Sequence, residues 1–305
     1  MIDLHCHMLP GVDDGAATEE EALLMAQVAV ESGVTDVVLT PHCNVPEQFS
    51  NYYDQQLEDR FCRFEQLLRQ SDVSLTPHRG MEVFVTPELP RLWDNGSLLT
   101  LGGSRYLLVE FAFGEAAWFA DDTLRQIRRR DLIPVVAHPE RYYFIQDEPR
   151  HLLRWANDGY VLQLNKGSFF GMFGRRAAKT AHWCLDCGCL HLIGSDAHSP
   201  YRRTPRLSDI YELVADAVSM ETAQLLLHDN PAAILTGGTI YPAMAQFLNP
   251  EVCYEATAHH YFRVAGVLSC TAGCFQRCAP VNQGPHSSCH RVSSAGVARQ
   301  RQRRQ

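Results

Sequence analysis

Short apolar segments alternate with amphipathic segments over the first 240 residues of the chain. Apolar runs bounded by turn residues indicate buried strands, whereas apolar positions that recur every three or four residues indicate helices. Strands are predicted at or within residues 2–7, 36–42, 75–85, 105–111, 132–138, 160–165 and 190–195. Helices are predicted at residues 18–32, 53–70, 121–130, 149–158, 175–187, 205–227 and 230–235.

Strands that alternate with helices indicate parallel βαβ units, and therefore an α/β fold. The first helix has a clear start signal, because Thr18 is a good N-cap and Glu21 completes a capping box. Gly33 follows its predicted end. Seven such units favour a barrel over a flat sheet, and both a closed and a nearly closed barrel fit the pattern.

Residues 250–305 differ from the rest of the chain. They follow neither the helical nor the strand period, and from residue 256 onward they contain seven Arg and no Asp or Glu. We therefore predict a folded domain over residues 1–249 and a poorly ordered, Cys- and Arg-rich tail over residues 250–305. The Cys and His spacings in the tail are not those of a known zinc finger.

The composition excludes several classes of protein. Hydrophobic residues make up 46% and charged residues 20%, which is typical of a globular chain. A net charge of −8 argues against a general nucleic-acid binder. No apolar run has the length of a membrane span, and the N-terminus lacks the pattern of a signal peptide. Eleven cysteines, an odd number, indicate reduced thiols, so we expect a cytoplasmic protein that is not embedded in a membrane.

Histidine and acidic residues recur where the predicted strands end. His5 and His7 end the first strand, and Asp196 and His198 repeat their spacing after the seventh. The strands between them contribute His42, Glu82, Glu110 and His138. Barrel enzymes build their active sites at this edge of the strands.

The mixture of side chains at this edge indicates a metal centre. Three carboxylates brought together would repel one another unless cations lay between them. Imidazoles combined with carboxylates suit Zn, Mn, Fe or Ni, whereas a structural zinc site would favour thiolates. The residues therefore predict a catalytic metal cluster with open coordination positions.

Two loops extend this candidate site. Asp13 and Asp14 lie in a Gly- and Pro-containing loop after the first strand, and we favour Asp14 as a further ligand over a plain acidic turn. Arg141 follows His138, and Arg203 follows Asp196 by seven residues, with Arg202 as a competitor. A guanidinium beside a metal centre suits a phosphate group, which its planar fork can grip.

Seven segments resemble motifs of the polymerase-and-histidinol-phosphatase (PHP) superfamily. They are Met-Ile-Asp-Leu-His-Cys-His at 1–7, Val-Asp-Asp-Gly at 12–15, Thr-Pro-His at 40–42, Gly-Met-Glu-Val at 80–83, Leu-Val-Glu-Phe at 108–111, Ala-His-Pro-Glu-Arg-Tyr at 137–142 and Gly-Ser-Asp-Ala-His at 194–198. Within that superfamily the set is similar to the bacterial metal-dependent protein-tyrosine phosphatases that regulate capsule and exopolysaccharide synthesis. The resemblance covers about residues 1–240.

The resemblance implies a distorted (β/α)7 TIM-like barrel, the PHP fold, with three divalent metal ions, commonly Mn²⁺, and with Fe or Zn as alternatives. It implies that His5, His7, Glu82 and Asp196 hold one metal, that Asp14, His42 and His198 hold the second, and that Glu82, Glu110 and His138 hold the third, with Glu82 bridging. It further implies that Arg141 and Arg203 bind the phosphoryl oxygens, and we assign them to the catalytic set together with His42.

The implied substrate is phosphotyrosine in the C-terminal cluster of a membrane-associated bacterial tyrosine kinase. Metal-activated hydroxide would attack phosphorus while the arginines stabilise the equatorial oxygens. A thiol mechanism does not fit, because none of the eleven cysteines has an Arg six positions later. We expect residues 44–53 and 169–176 to line the approach to the site. Two alternatives stay open: a phosphatase for histidinol phosphate or another small molecule, and a non-catalytic regulator that binds the kinase.

Overall fold

The structure is a computed structural model, and it describes residues 1–243. The predicted tail at residues 250–305 lies outside the described residues, so the boundary at residue 249 stays a prediction. Within residues 1–243, no helix is long and apolar enough to cross a membrane.

Parallel strands curl into a half-barrel within a mixed α/β fold. The strands are β1 (Ile2–Cys6), β2 (Asp36–Leu39), β3 (His42–Cys43), β4 (Thr76–Arg79), β5 (Glu82–Phe84), β6 (Tyr106–Glu110), β7 (Ile133–Ala137), β8 (Val161–Asn165) and β9 (Leu192–Gly194). One sheet has the order β1-β2-β4, and the other has the order β3-β5-β6-β7-β8-β9. All of the pairings between neighbouring strands are parallel.

The seven predicted strands are all present, but two of them are broken. The segment 36–42 becomes β2 and β3, separated by Thr40 and Pro41, and proline cannot donate a ladder hydrogen bond. The segment 75–85 becomes β4 and β5, which are separated at Gly80. A Cβ on Gly80 would lie 2.6 Å from Cγ1 of Val38, so the two chains approach closely at this break.

Helices cover the outside of the strands. They are α1 (Glu19–Glu31), α2 (Gln55–Gln70), α3 (Leu89–Asp94), α4 (Ala117–Arg128), α5 (Tyr143–Asp147), α6 (Arg150–Asn157), α7 (Lys166–Phe169), α8 (Arg175–Asp186), α9 (Ser208–Ala217), α10 (Met220–Gln224) and α11 (Asn230–Leu235). Single 3₁₀ turns lie at Leu101–Gly103 and Pro139–Arg141, and a π-helical turn lies at Leu225–Asp229.

The helix predictions hold for most segments, with one clear correction. The single helix predicted over residues 205–227 is wrong, because α9 ends at Ala217 and α10 begins at Met220. The side chain of Ser219 accepts the backbone N–H of Thr222 and so starts a new helix. The short helices α3, α5 and α7 were not predicted, since each is too brief to show a period.

The predicted N-cap of α1 is confirmed with one difference. Oγ1 of Thr18 accepts the backbone N–H of Glu21 at 3.2 Å. The Glu21 carboxylate accepts the N–H of Ala17, at 2.9 Å, in place of that of the cap residue. Gly33 follows the helix with a φ of +87°, a left-handed conformation that glycine adopts readily.

Alternation along the strands directs polar side chains to the site. In β6, Tyr106 and Leu108 pack in the smaller apolar cluster between the strands, and Glu110 continues the same face. In β8, Val161 packs in that cluster, and the same face continues as Gln163 and Asn165. The carboxyl ends of the strands therefore carry polar groups above an apolar interior.

The first and last strands meet at these carboxyl ends. The backbone N–H of Asp196 donates to the carbonyl of His5 at 2.8 Å, and the N–H of His7 donates to that of Ala197 at 2.9 Å. Cys6 and Ala197 form an isolated parallel bridge. This contact brings the pair His5 and His7 together with the pair Asp196 and His198, which lie far apart in the sequence.

Candidate metal centre

The first group of predicted ligands surrounds the end of β1. Nε2 of His5 and Nε2 of His7 each lie 3.3 Å from an oxygen of Glu82. The same two nitrogens lie 3.5 Å from Oδ1 of Asp196. His5, His7, Glu82 and Asp196 are all fully buried. The structure thus brings together the four side chains that the resemblance implies for the first metal.

A second group lies beside His7 at the more open side of the site. Oδ1 of Asp14 is 3.5 Å from Nε2 of His42 and 3.4 Å from Nε2 of His198. The ligand atoms of His7, Asp14, His42 and His198 all lie within 4.8 Å of one another. The side chain of Asp14 is 56% exposed, so this part of the centre faces solvent.

The third group is centred on Glu82. Nε2 of His138 lies 2.9 Å from Oε1 of Glu82 and 3.5 Å from Oε1 of Glu110. Nδ1 of His42 lies 2.9 Å from Oε2 of Glu82, so His42 faces both this group and the second one. Glu82 contacts four imidazoles, which suits the bridging position implied for it.

Hydrogen bonds at the far side of two imidazoles, His7 and His198, fix their tautomers. Nδ1 of His7 donates to a carboxylate oxygen of Asp13 at 2.8 Å. Nδ1 of His198 donates to the backbone carbonyl of Asp196 at 3.0 Å. Both acceptors lack a proton to give, so Nε2 of each ring keeps its lone pair for the cluster.

His5 is oriented in the same way by an amide. Nδ1 of His5 lies 2.8 Å from Oε1 of Gln163, and Nε2 of Gln163 donates to the carbonyl of Leu164. The amide oxygen therefore accepts from His5. The sequence analysis missed Gln163, although a polar pair, Gln163 and Asn165, at period two in an otherwise apolar strand was a usable signal.

The structure separates the two acids of the first loop. Asp13 is committed to support, because it also accepts the backbone N–H groups of His42 at 2.9 Å and Gly15 at 3.0 Å. Asp14 faces His42 and His198 instead. A Cβ on Gly15 would lie 2.0 Å from the carbonyl oxygen of His7, so only glycine lets this loop fold over β1.

Three residues of the site have left-handed backbone conformations. The φ angle is +33° at His138, +48° at Asp196 and +51° at Arg203. This region is unfavourable for residues other than glycine, and such strain clusters at functional sites. The surrounding packing must therefore stabilise these backbone conformations and the side-chain orientations that follow from them.

Several buried polar atoms at the site lack a hydrogen-bond partner. Among residues 1–243 they include Nε2 of His198 and Nδ1 of His138. Oε2 of Glu82 and Nδ1 of His42 are also among them, because their 2.9 Å contact does not have hydrogen-bond geometry. Buried polar atoms are normally satisfied, and unsatisfied ones often indicate a missing ion. Since the donors are imidazole nitrogens and carboxylate oxygens without a thiolate, the residues present fit divalent transition-metal ions.

Burial and crowding shift the pKa values of the acids. Burial, with Glu82 and Asp196 nearby, raises the pKa of Glu110 to about 9. Burial opposes the ionisation of Glu82 as well, but His5 and His42 outweigh it and hold the Glu82 pKa well below its usual range. The pKa values of the neighbouring Glu82 and Glu110 carboxylates are therefore shifted in opposite directions. Bound cations would relieve the repulsion between the two negative charges.

Asp196 links the imidazoles to the arginines. Its Oδ1 faces His5 and His7, whereas its Oδ2 forms an ion pair with Nη2 of Arg203 and accepts a hydrogen bond from Asn165. Nη1 of Arg141 lies 3.8 Å from the same Oδ2. Arg202 is exposed and forms no ion pair with any residue in 1–243, which favours Arg203 over Arg202.

The two predicted approach segments both reach the site. Phe49, from residues 44–53, stacks on the ring of His42 with 5.8 Å between centroids. Phe173, from residues 169–176, lies against Arg141 with 4.3 Å between its ring centroid and the guanidinium carbon. The cysteines at 184, 187 and 189 are buried.

This protein is a parallel α/β half-barrel with a candidate metal centre. Imidazoles, carboxylates and two arginines cluster at the carboxyl ends of its strands. The chain belongs to the family described as capsular polysaccharide synthesis, CpsB/CapC, which matches residues 1–236. The family resemblance found in the sequence is therefore confirmed.

Individual relatives agree with this assignment. The chain is 28% identical over 244 residues to the tyrosine-protein phosphatase YwqE of Bacillus subtilis, covering 79% of this chain and 94% of YwqE. It is 30% identical over 214 residues to the putative tyrosine-protein phosphatase CapC of Staphylococcus aureus, covering 69% of this chain and 82% of CapC. One similar solved structure comes from work on YwqE and on CpsB of Streptococcus pneumoniae, described as unique metal-dependent tyrosine phosphatases. Its TM-score is 0.73 at 28% identity, covering 79% of this chain and 97% of that one.

Proposed function

We propose that this chain is a metal-dependent protein-tyrosine phosphatase that acts in the regulation of capsule or exopolysaccharide synthesis. The observation that carries the proposal is the convergence of nine imidazole and carboxylate side chains beside Arg141 and Arg203. The family and the names of the relatives support the same activity. The free cysteines among residues 1–243 suit a cytoplasmic protein.

The proposed fold is a distorted (β/α)7 barrel. β2 with β3 and β4 with β5 each count as one broken strand, which leaves seven strand positions. The backbone hydrogen bonds between His5 or His7 and the segment after β9 support closure of the ring.

The proposed cofactor is a group of three divalent ions, with Mn²⁺ favoured and Fe or Zn as alternatives. His5, His7, Glu82 and Asp196 would hold the first, Asp14, His42 and His198 the second, and Glu82, Glu110 and His138 the third. When bound, such ions lower the pKa of a coordinated water and neutralise phosphoryl charge.

The chain's own residues contribute binding and orientation. Arg141 and Arg203 converge on Oδ2 of Asp196, and from there their remaining N–H groups can bind the phosphoryl oxygens of a substrate. His42 reaches two of the ligand groups and places its ring at the open side of the centre. A tyrosine leaving group, with an ordinary pKa of about 10, departs with little help from a general acid.

Cysteine chemistry does not fit the site. Cys6 and Cys43 are the buried thiols nearest the ligands in sequence. Burial raises the pKa of Cys43 to about 12 and raises that of Cys6 well above its usual value. Such thiols are poor nucleophiles at neutral pH.

We infer that the substrate is a phosphotyrosine protein, and that a membrane-associated bacterial tyrosine kinase is the cognate one. Exposed aromatic side chains lie within three residues of Arg141, Phe173 and Arg203 in the sequence, and they suit a peptide that presents an aromatic ring. They include Tyr143, Phe170 and Tyr201. The names of YwqE and CapC support the phosphotyrosine part of this proposal.

The test is a hydrolysis assay of the purified full chain, with and without added Mn²⁺. Phosphotyrosine peptide, phosphoserine peptide and histidinol phosphate are compared. We expect cation-dependent hydrolysis with the phosphotyrosine peptide preferred, and loss of activity in His138→Ala and Asp196→Ala without loss of folding. Hydrolysis of histidinol phosphate alone would indicate a small-molecule phosphatase, and no hydrolysis at all would indicate a non-catalytic regulator.

A further inference from the structure

Two phenyl rings enclose the guanidinium of Arg141. Its Cζ atom lies 4.3 Å from the ring centroid of Phe113 and 4.3 Å from that of Phe173. The ring of Phe173 also lies 5.6 Å from Cζ of Arg203. We call Phe113 and Phe173 the aromatic clamp. Neither ring belongs to the ligand set, and both are half-buried.

The chain holds Phe113 in place from two sides. It follows the end of β6 three residues after Glu110, and its carbonyl accepts the backbone N–H of Tyr143 at 2.8 Å. Its ring centroid lies 6.1 Å from that of His138. The position of this ring is therefore tied to the same strand ends that carry the proposed ligands.

Phe173 is held by a glycine-rich turn between α7 and α8. Gly171 and Gly174 both have positive φ angles, +75° and +91°, which bend the chain back over the site. A Cβ on Gly167 would lie 3.0 Å from Cε2 of Phe173, so the ring packs closely against this glycine. The turn therefore seats the ring at a defined position beside Arg141.

Arg141 needs such support, because its contact with Asp196 is weak. Nη1 lies 3.8 Å from Oδ2 of that residue, beyond hydrogen-bond distance. A planar, weakly hydrated guanidinium stacks well on aromatic faces, and stacking restricts rotation of the long side chain while leaving its edge free. Preorganised donors bind developing charge better than mobile ones.

We propose that Phe113 and Phe173 are positioning residues that hold Arg141, and in the case of Phe173 also Arg203, in the orientation that binds the phosphoryl group. The proposal rests on the proposed phosphatase function. Because Phe173 faces both arginines, we expect it to have the larger role of the two. Phe61 makes the same kind of contact outside the site, where its ring centroid lies 5.7 Å from Cζ of Arg79.

The experiment compares Phe173→Leu, Phe113→Leu and the matched control Phe61→Leu in the full, metal-loaded chain. We expect kcat/KM for a phosphotyrosine peptide to fall about tenfold in Phe173→Leu and about threefold in Phe113→Leu. Phe173→Tyr keeps the aromatic face and is expected to retain activity. Phe61→Leu removes a ring that lies against Arg79 outside the site, and it is expected to stay within about twofold of the wild type.

A second readout separates the clamp from general damage. The inhibition constant of inorganic phosphate is expected to rise by a similar factor in Phe173→Leu, while metal content and thermal midpoint stay near wild-type values. Unchanged kcat/KM and unchanged phosphate inhibition in Phe173→Leu would overturn the proposal. Should Phe173→Leu lose metal or stability, Phe173→Met replaces it as the variant without a ring.

Coupling to the arginine gives the decisive comparison. In an Arg141→Gln background, Phe113→Leu is expected to cause no further loss, because its effect acts through Arg141. An equal loss in both backgrounds would show that Phe113 contacts the substrate directly and would overturn the positioning role. A third result separates the two proposals. If the wild-type chain is inactive on the phosphotyrosine peptide while Phe173→Leu still lowers the affinity for inorganic phosphate, the proposed function is rejected and the positioning role of Phe173 is supported.

Discussion

Asp13 accepts a hydrogen bond from Nδ1 of His7 at 2.8 Å, and this bond turns Nε2 of His7 toward the candidate metal centre. Asp13 also accepts two backbone N–H groups, so its carboxylate is rigidly held. The adjacent Asp14 has no such commitment and faces His42 and His198. Consecutive acids thus have different roles, one as support and one as a proposed ligand.

Asp13→Ala is expected to lower the affinity for Mn²⁺ by about 10- to 100-fold, because His7 loses the partner that orients it. Isothermal titration with Mn²⁺ measures this. Asp36→Ala is the matched control, since Asp36 accepts from His78 at 2.9 Å outside the site. Equal affinities in Asp13→Ala and the wild type would show that the Asp13 hydrogen bond does not support the centre.

Gly15→Ala is expected to destabilise the fold by about 1–3 kcal/mol, because the new methyl group would overlap the carbonyl of His7. Urea unfolding measures the loss. Gly114→Ala serves as the control, since its nearest neighbour would be 3.8 Å away, an ordinary contact. A Gly15→Ala chain as stable as the wild type would mean that the loop moves away from β1 without cost.

Removal of divalent ions is expected to lower the thermal midpoint. Each ion bound only by the folded state at about 100 times its dissociation constant adds about 2.7 kcal/mol, so a single ion corresponds to about 5–10 °C for a folded domain of about 240 residues. Scanning calorimetry before and after treatment with EDTA tests this. Asp196→Ala should show little change on the same treatment. An unaltered wild-type midpoint after complete metal removal would argue against the proposed cluster.

His191 is expected to make the stability depend on pH between about 4 and 6.5. Burial lowers the pKa of this imidazole to about 4. As the pH falls below 6.5, the His191 imidazole is protonated in the unfolded chain but not in the folded chain. The free energy of unfolding therefore decreases until about pH 4. The loss amounts to about 3 kcal/mol.

Urea titrations across this pH range check the effect. His191→Gln is expected to flatten the dependence, because glutamine does not titrate and can still accept the N–H of Leu162 that Nδ1 now accepts at 3.2 Å. His228→Gln, at an exposed position far along the chain, is the control and should keep the wild-type slope. A wild-type slope in His191→Gln would place the acid sensitivity elsewhere.

The local sequence pattern was sufficient to predict the strand positions, the N-cap of α1 and the strand ends at which His5, His42 and Asp196 lie. These features depend on neighbours within a few residues, so the sequence carries them directly. The break at Gly80 was not predicted, because it depends on the close approach of the neighbouring strand at Val38. The break at Pro41 was also not predicted, although the proline, which cannot donate a ladder hydrogen bond, was a local signal for it. The split between α9 and α10 was missed for a different reason, since Ser219 resembles an ordinary helical residue until its capping bond is seen.

By itself, the sequence determined which side chains stand at the strand ends and which family the chain resembles. Only the tertiary structure decided that Asp14 faces the imidazoles while Asp13 supports His7, that Arg203 and not Arg202 reaches Asp196, and that Phe113 and Phe173 enclose Arg141. The physical reason is the separation in sequence between the residues that determine each feature. Periodicity records the face of one element, whereas these choices depend on packing between segments far apart in the chain.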